Sequence, residues 1–342
     1  MTEDLSISAI IPLYNGEKYI EQAIRSVERQ IVKPIELIIV DDGSTDRGCE
    51  IVTEIAKSVA LTLIHKPNGG QSSARNLGVR HSKGKLIALL DQDDMWYPNH
   101  LQELVKPFQE PRFPELGWVY SDLDEVDENG KMLTRQFLRT LSAPHPKRDV
   151  FSCLQQDMFV LPSASLISRK AFDQVGGFDE RLSGYEDDDL FLRLFHEGYD
   201  NEFIPMALSM WRIYPSSSSY SSRMAASRMV YARKLCQSFP DDPARTRYCL
   251  VRDLIAPRFF VQVLGEFVRA AKRGDWSRAE KTLEDLEFLA DRLSSGRRRV
   301  FAVLYPLMRV RALVQLALGV HWLLEPIVRK LVGPRAVVVR GR

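Results

Sequence analysis

Three groups of acids in this 342-residue chain stand at spacings that could do chemistry. Asp91–Gln92–Asp93 is a DxD triplet. In an extended segment residues i and i+2 point to one side, so both carboxylates can face one site. Hard oxygens of this kind suit Mg2+ or Mn2+, ions that keep some of their coordination for a diphosphate. Taken alone, a DxD reads as a solvated loop; directly after the apolar run Leu86–Leu90 it reads as a metal site. Asp41–Asp42 likewise closes the apolar run Ile35–Val40. The third group, Glu186–Asp187–Asp188–Asp189, opens a helical pattern whose apolar face runs through Leu190, Leu194 and Phe195. Capping accounts for acids at a helix start, at about 0.3–1 kcal/mol per charge. Four exceed what capping needs, and their repulsion raises the pKa of one, which suits it to act as a general base.

Such acids need strands that end at a common edge. Apolar runs of strand length, Ile7–Ile11, Ile35–Val40, Leu61–Ile64 and Leu86–Leu90, alternate with helix-length segments. Those segments carry helically spaced apolar residues, as in Tyr19, Ala23, Ile24 and Val27, then Ile51, Ile55 and Val59. The alternation predicts an α/β fold with a parallel sheet flanked by helices. Ligands of such sheets bind at the carboxyl ends of the strands. Pro12–Leu13–Tyr14–Asn15, Asp41–Asp42–Gly43–Ser44 and Asp91–Gln92–Asp93–Asp94 all fall there. Five acids on one edge imply a bound partner, because a buried carboxylate is costly unless a cation or donor meets it. After Asp94 the pattern changes: Trp118–Ser121, the turn residues Glu128–Asn129–Gly130 and Met132–Leu138 predict a hairpin-like insertion. The acids around that turn, Asp122, Asp124, Glu125, Asp127 and Glu128, read as a solvated face.

Taken in order, IIPLYNGEKYIEQAIRSV, IELIIVDDGSTD, NGGQSSARNLGVRHSKGKLIALLDQDD, GGFDE and EDDDLFLRL resemble glycosyltransferase family 2, across residues 6 to 215. The resemblance implies the GT-A fold, a Rossmann-like and mostly parallel sheet flanked by helices. It also implies an inverting transfer from a nucleotide-sugar, most commonly a UDP-sugar, with Mn2+ or Mg2+ as cofactor. By position, it sets Pro12, Tyr14 and Asn15 against the nucleotide and makes Asp42 the acceptor of a hydrogen bond from the base. Arg75 then belongs beside the diphosphate, Asp91 on the ribose side and Asp93 on the metal, the two acids together forming the metal site. Asp187 matches the catalytic base. Glu186, Trp96 and Arg212 are further candidates for acceptor or phosphate contacts. Trp96 is either an apolar platform for a sugar ring or part of the core, and Arg212 either a phosphate ligand or a surface ion pair. One departure stands out: Trp211–Arg212–Ile213–Tyr214–Pro215 carries Tyr where relatives commonly place the His of Arg-x-His. Tyrosine is a poor ligand for these ions, which puts a third protein ligand from that loop in question.

Composition sets outer bounds. With 47 Lys and Arg against 45 Asp and Glu, the net charge of +2 excludes a globally basic nucleic-acid binder. The four cysteines show no CxxC spacing, and His65, His81, His100 and His196 are scattered, so neither type is given a role. Charge is nonetheless uneven: Arg292 to Arg342 holds eleven basic residues and one acid, Glu325. Residues 297–333 read either as a basic amphipathic helix on an anionic membrane or as a helix packed on the protein or a partner. The expected organisation is a catalytic domain over residues 1–220 and a helical region over 221–342. An acidic start without a basic n-region, and the lack of a long uncharged apolar stretch, predict a cytoplasmic protein on the inner membrane face. Its acceptor is expected to be a glycan or a lipid-linked glycan. Two other classes fit the chain less well. A nucleotidyltransferase lacks support because no Gly-rich basic triphosphate loop follows the first strand; a non-catalytic scaffold would dock partners through the helical tail.

Overall fold

The structure, a computed structural model, describes residues 5–214, 222–242, 244 and 249–319. β1 (Ile7–Leu13) is buried along its whole length, as a strand covered on both faces must be. It pairs in parallel with β2 (Glu36–Asp41) on one side and β4 (Leu86–Leu89) on the other, and β3 (Thr62–His65) extends the sheet beyond β2. The crossovers are α1 (Ile20–Glu28), α2 (Gly48–Ile55) and α3 (Gln71–His81). Ile20, Ala23, Ile24 and Val27 of α1 are buried in one core cluster with alternate residues of β1, so the spacing seen in sequence is the face that packs.

Past β4 the sheet is mixed. Its strands are ordered β3-β2-β1-β4-β8-β6-β9-β5, with β7 hydrogen-bonded to β6. Here β5 is Met95–Trp96, β6 Leu116–Val126, β7 Met132–Thr134, β8 Ser165–Ser168 and β9 Asp200–Arg212; α4 (His100–Gln109), α5 (Val150–Gln155), α6 (Arg169–Gln174) and α7 (Glu186–His196) lie between them. β8 is antiparallel to both β4 and β6, whereas β6 and β9 run parallel. β9 also pairs with β5, matching Met210 to Met95. That return brings Arg212 and Tyr214 back to the segment that follows β4.

The expected hairpin is present as β6 and β7, but its acids are not all solvated. Asp122 is fully buried and Asp124 nearly so. Asp122 accepts from the backbone N–H groups of Leu123 and Leu138, each at 2.8 Å, and Asp124 accepts from Gln136 N and the Tyr97 hydroxyl, also at 2.8 Å. A carboxylate that ties down an otherwise unpaired loop backbone belongs inside. Only Glu128 of the five is exposed.

The chain divides into two compact units, Met1–Cys153 with Asp157–Ser227, and Leu154–Gln156 with Arg228–Arg342. The expected boundary at residue 220 lies outside the described residues, and α8 (Ser222–Ser238) contains the division. In the second unit a π-helical turn at Val251–Ile255 leads into α9 (Ala256–Lys272), followed by α10 (Trp276–Ala290), α11 (Ser295–Met308) and α12 (Arg311–Gly319). Phe259, Val263 and Phe267 of α9 and Leu283, Leu286 and Leu289 of α10 are buried. Asp275 caps α10 by accepting from Arg278 N at 3.1 Å. α11 and α12 meet at 110°, and among the described residues no single helix is long and apolar enough to cross a membrane. Of the basic segment expected at 297–333, residues 320–333 lie outside the described residues.

Candidate active site

The carboxyl ends of β1, β2 and β4 open onto a cleft of about 540 Å³. Pro12, Tyr14, Asn15, Asp42, Asp91 and Asp93 all line it. Two loops of its wall are clasped by one side chain: Gln92 Oε1 accepts from Tyr14 N at 2.8 Å, and Gln92 Nε2 donates to Tyr14 O at 3.0 Å. Asn15 adopts a left-handed φ of 48°, and its Oδ1 accepts from Thr45 N at 2.8 Å. Asn15 thereby holds the loop after β1 to the loop after β2.

Asp42 is buried, and the glycine loop after β3 surrounds its carboxylate. Gly69 N and Gly70 N donate to it at 2.8 and 2.7 Å, Lys66 Nζ pairs with it, and Asn68 Nδ2 donates to its backbone oxygen at 3.0 Å. Both carboxylate oxygens therefore already have donors. The role expected for Asp42, accepting from a base, is joined by a structural one: it shapes the loop that forms this side of the cleft.

A buried guanidinium joins the other two acidic groups. Arg75 is 1% exposed, donates to Asp91 Oδ1 through one NH2 group and reaches Glu186 Oε1 at 3.3 Å through the other. Burial opposes its charge, but Asp91 and then Glu186 outweigh burial and raise its pKa. Arg75, expected beside the diphosphate, is corrected to a buried bridge between Asp91 and Glu186, because a guanidinium without access to water needs carboxylates on both arms. Glu186 is corrected likewise: buried at 5% exposure, it is held by Arg75 and Gln71 rather than presented to an acceptor or a phosphate.

The four acids at the start of α7 divide by partner. Asp188 accepts from Met158 N at 2.7 Å, Asp189 pairs with Arg193 at 2.7 Å, and Glu186 is bridged as above. Asp187 is half-buried, and its Oδ1 accepts only the adjacent Asp188 N, at 2.8 Å, among the described residues. Burial, then the neighbouring charges of Glu186 and Asp188, push its pKa well above the ordinary carboxylate value. Asp187 does not itself line the cleft, although Ser183 just before α7 does. Asp42, Asp91 and Asp93 are brought together around one cleft, and Asp187 follows directly on Glu186, the residue that Arg75 ties to Asp91.

Asp93 is flanked by residues returning from β9. The Tyr214 hydroxyl donates to Asp93 Oδ2 at 2.7 Å, while burial and then the Asp91 charge raise the pKa of Asp93. Arg212 is corrected from a phosphate ligand or surface ion pair to a buried clamp. It donates to the backbone oxygens of Asp93 and Glu128 and to Gln22 Oε1, at 2.9, 3.0 and 2.8 Å, and lies over the Tyr19 ring. Trp96 is no sugar platform: it is 4% exposed, donates from Nε1 to Ser163 O at 2.7 Å and stacks on His100. A Trp whose N–H has found a buried carbonyl is core.

Asp91 and Asp93 fit a hard divalent ion. Each keeps one carboxylate oxygen apart from its bond to Arg75 or Tyr214, and the repulsion evident in the raised Asp93 pKa is what a cation between them would relieve. Two oxygen ligands, with the rest left to phosphate and water, are the usual protein share for Mg2+ or Mn2+.

A family model described as glycosyl transferase family 2 matches residues 8–176. That part of the chain belongs to glycosyltransferase family 2. A second model, described as the N-terminal domain of galactosyltransferase, matches residues 161–215. An uncharacterized glycosyltransferase of Rickettsia bellii is 34% identical over 190 residues, 55% of this chain and 27% of that protein. The chain thus spans under a third of the length of that relative. Among solved structures, S. aureus TarS residues 1–349 in complex with UDP-GlcNAc superposes with a TM-score of 0.63 at 16% identity, over 92% of both chains. The mannosyltransferase PcManGT of Pyrobaculum calidifontis, in complex with GDP-Man and Mn2+, gives 0.54 at 18% identity, over 95% of this chain and 82% of that one. These likenesses establish the GT-A fold.

Several residues of this family 2 site escaped the sequence reading. Gln92 is the middle residue of the DxD, Lys66 and Gln71 stand on either side of Gly69–Gly70, and none of them, nor Ser163, which accepts from Asp91 N at 3.0 Å, carries a local signal of its role. A doublet of glycines directly after a short strand was the one available cue for the Asp42 loop, since Gly70 sits at φ 89°.

Proposed function

We propose that the family 2 domain is an inverting glycosyltransferase that moves a sugar from a nucleotide-sugar, most often a UDP-sugar, to an acceptor hydroxyl. The observation that carries this is the buried bridge Asp91–Arg75–Glu186, which fixes the donor-side acids and the start of α7 to one another. TarS with UDP-GlcNAc and PcManGT with GDP-Man and Mn2+ support a nucleotide-sugar donor and a divalent ion on this fold.

Chemically, Asp187 accepts the proton of the acceptor hydroxyl, and its raised pKa keeps it basic enough to do so. The hydroxyl oxygen attacks the anomeric carbon opposite the leaving diphosphate, which inverts that centre. The loops after β1 and β3 hold the nucleotide, with Tyr14 and Asn15 on one side and Asp42 with its glycine turn on the other. A divalent ion at Asp91 and Asp93, when bound, neutralises charge on the departing diphosphate. Arg75 keeps Asp91 oriented for that task rather than touching phosphate. Release of nucleoside diphosphate from a panel of UDP- and GDP-sugars with Mn2+ tests the proposal; no turnover and no donor binding across the panel would sink it.

The acceptor is proposed to be a cell-surface glycan or a lipid-linked glycan, reached at the inner face of the membrane. The exposed apolar residues Val303, Leu307, Val310, Leu313 and Leu316 follow one another along α11, α12 and the turn between them, and Arg297, Arg298, Arg299, Arg309 and Arg311 accompany them. Apolar side chains flanked by arginines match an anionic bilayer surface, where the former enter the acyl boundary and the latter meet phosphates.

A further inference from the structure

A second cluster of metal-ligating side chains stands apart from the DxD. Asp41 ends β2, His65 ends β3, and the parallel register sets the two directly opposite each other. Cys49, the second residue of α2, brings a thiol to the same point. Each of the three offers one ligand atom, and these atoms all lie within 4.8 Å of one another. Among the described residues this is the one such grouping of His, Cys, Asp and Glu.

We propose that Asp41, Cys49 and His65 form a binding site for a zinc-class divalent cation, with a solvent molecule as fourth ligand. The donors decide the class of ion. One soft thiolate, one borderline imidazole and one hard carboxylate form a mixed set that selects zinc or cobalt over magnesium, unlike the all-oxygen DxD. Geometry agrees. Zn–N and Zn–O bonds of about 2.0–2.2 Å and Zn–S bonds of about 2.3 Å set tetrahedral ligand atoms roughly 3–4 Å apart. Asp41 Oδ2 and His65 Nδ1 already stand 3.0 Å apart. The His65 side chain is 62% exposed, which leaves that face open to a solvent ligand.

The supporting contacts are those of an oriented ligand. Asp41 is buried, and its second oxygen, Oδ1, accepts from Ser44 N at 2.9 Å, which aims Oδ2 at the cluster. Its backbone oxygen accepts from Lys66 N at 2.9 Å. The neighbours in sequence matter too, because Asp42 and Lys66 pair with each other inside the cleft wall. An ion bound here would fasten the ends of β2 and β3, which lead into Asp42 and Lys66. The site does not depend on the transferase proposal, since it is defined by binding alone.

Cobalt is the probe, because a thiolate ligand gives Co2+ a near-ultraviolet charge-transfer band that oxygen ligands do not. The full chain is titrated with Co2+ in the presence of excess Mg2+, which holds the oxygen sites. The band is expected to saturate at one equivalent and to be displaced by Zn2+. It should vanish in both Cys49→Ser and Cys49→Ala, with circular dichroism confirming that each folds, and His65→Ala should weaken Zn2+ binding at least about tenfold. Absence of the band in the wild type overturns the site. So does a band that survives in both Cys49 variants, which would arise from Cys153, Cys236 or Cys249, or one indifferent to His65→Ala.

Discussion

The Tyr214 hydroxyl donates to Asp93 Oδ2 at 2.7 Å, at the position where the family resemblance leads one to expect the histidine of Arg-x-His. The same end of the site is thus closed by a hydrogen bond from a neutral phenol. Burial and the Asp91 charge raise the pKa of Asp93, and the Tyr214 bond works against them. Tyr214→Phe removes that opposition. A hydrogen bond to a charged group is worth about 1.5–3 kcal/mol, or about one to two pH units. The acid limb of Mn2+-dependent donor binding should therefore move to higher pH in the variant, as read by titration calorimetry across a pH series. Tyr214→His should instead tighten Mn2+ binding by supplying a ligand nitrogen. An unmoved limb in the first variant and unchanged Mn2+ affinity in the second would show that the contact is only structural.

Asp187→Asn separates chemistry from binding. Loss of a general base lowers turnover by roughly 100- to 10,000-fold, while donor affinity should hold. In the wild type, activity should rise with pH through the raised pKa of Asp187, since only the ionised carboxylate accepts a proton. Stability should run the other way. Asp187 titrates higher when folded than its ordinary 3.8, so from that value up to the native pKa the folded state holds the extra proton, and stability falls as pH rises. The Asn variant should accordingly melt higher than wild type near neutral pH. A variant that turns over normally would remove Asp187 from the mechanism.

Arg75→Met should be strongly destabilising. It strands Asp91 and the buried Glu186 without their shared cation, and removing one partner of a buried ion pair costs about 3–5 kcal/mol. Denaturant unfolding measures the loss. Combining it with Glu186→Gln should recover part of it, because the two groups act on each other. Strict additivity of the two substitutions would contradict the bridge.

Val303 and Leu316 are 71% and 66% exposed, so aspartate at both positions should leave the helices folded. If α11 and α12 lie on lipid, the double variant should lose at least about tenfold of its binding to anionic vesicles in a sedimentation assay. Wild-type binding retained by the variant would locate the membrane contact elsewhere in the chain.

The strands and the acids at their ends were legible because they obey local rules. An apolar run such as Leu86–Leu90 ends in a polar triplet, and a single residue of shift would change which face carries it. The start of α7 was legible for the same reason. Arg212 and Arg75 were not. Residue type announces a donor, but Arg212 finds its acceptors at positions 22, 93 and 128, and Arg75 at 91 and 186. Whether a guanidinium faces water or other parts of the chain depends on segments far away in sequence. Asp122 and Asp124 misled likewise: their turn-rich neighbourhood reads as surface, yet β6 runs through the interior of the sheet with β8 and β9 on either side.

Gln92 and Tyr14 exchange two hydrogen bonds, and a methyl group at Gly16 would lie 2.4 Å from Gln92 Oε1. The segments after β1 and β4 are therefore a single moulded part. Anyone recasting donor preference by grafting from another transferase would have to transplant residues 12–16 and 91–94 together, since either one alone would arrive without its mate.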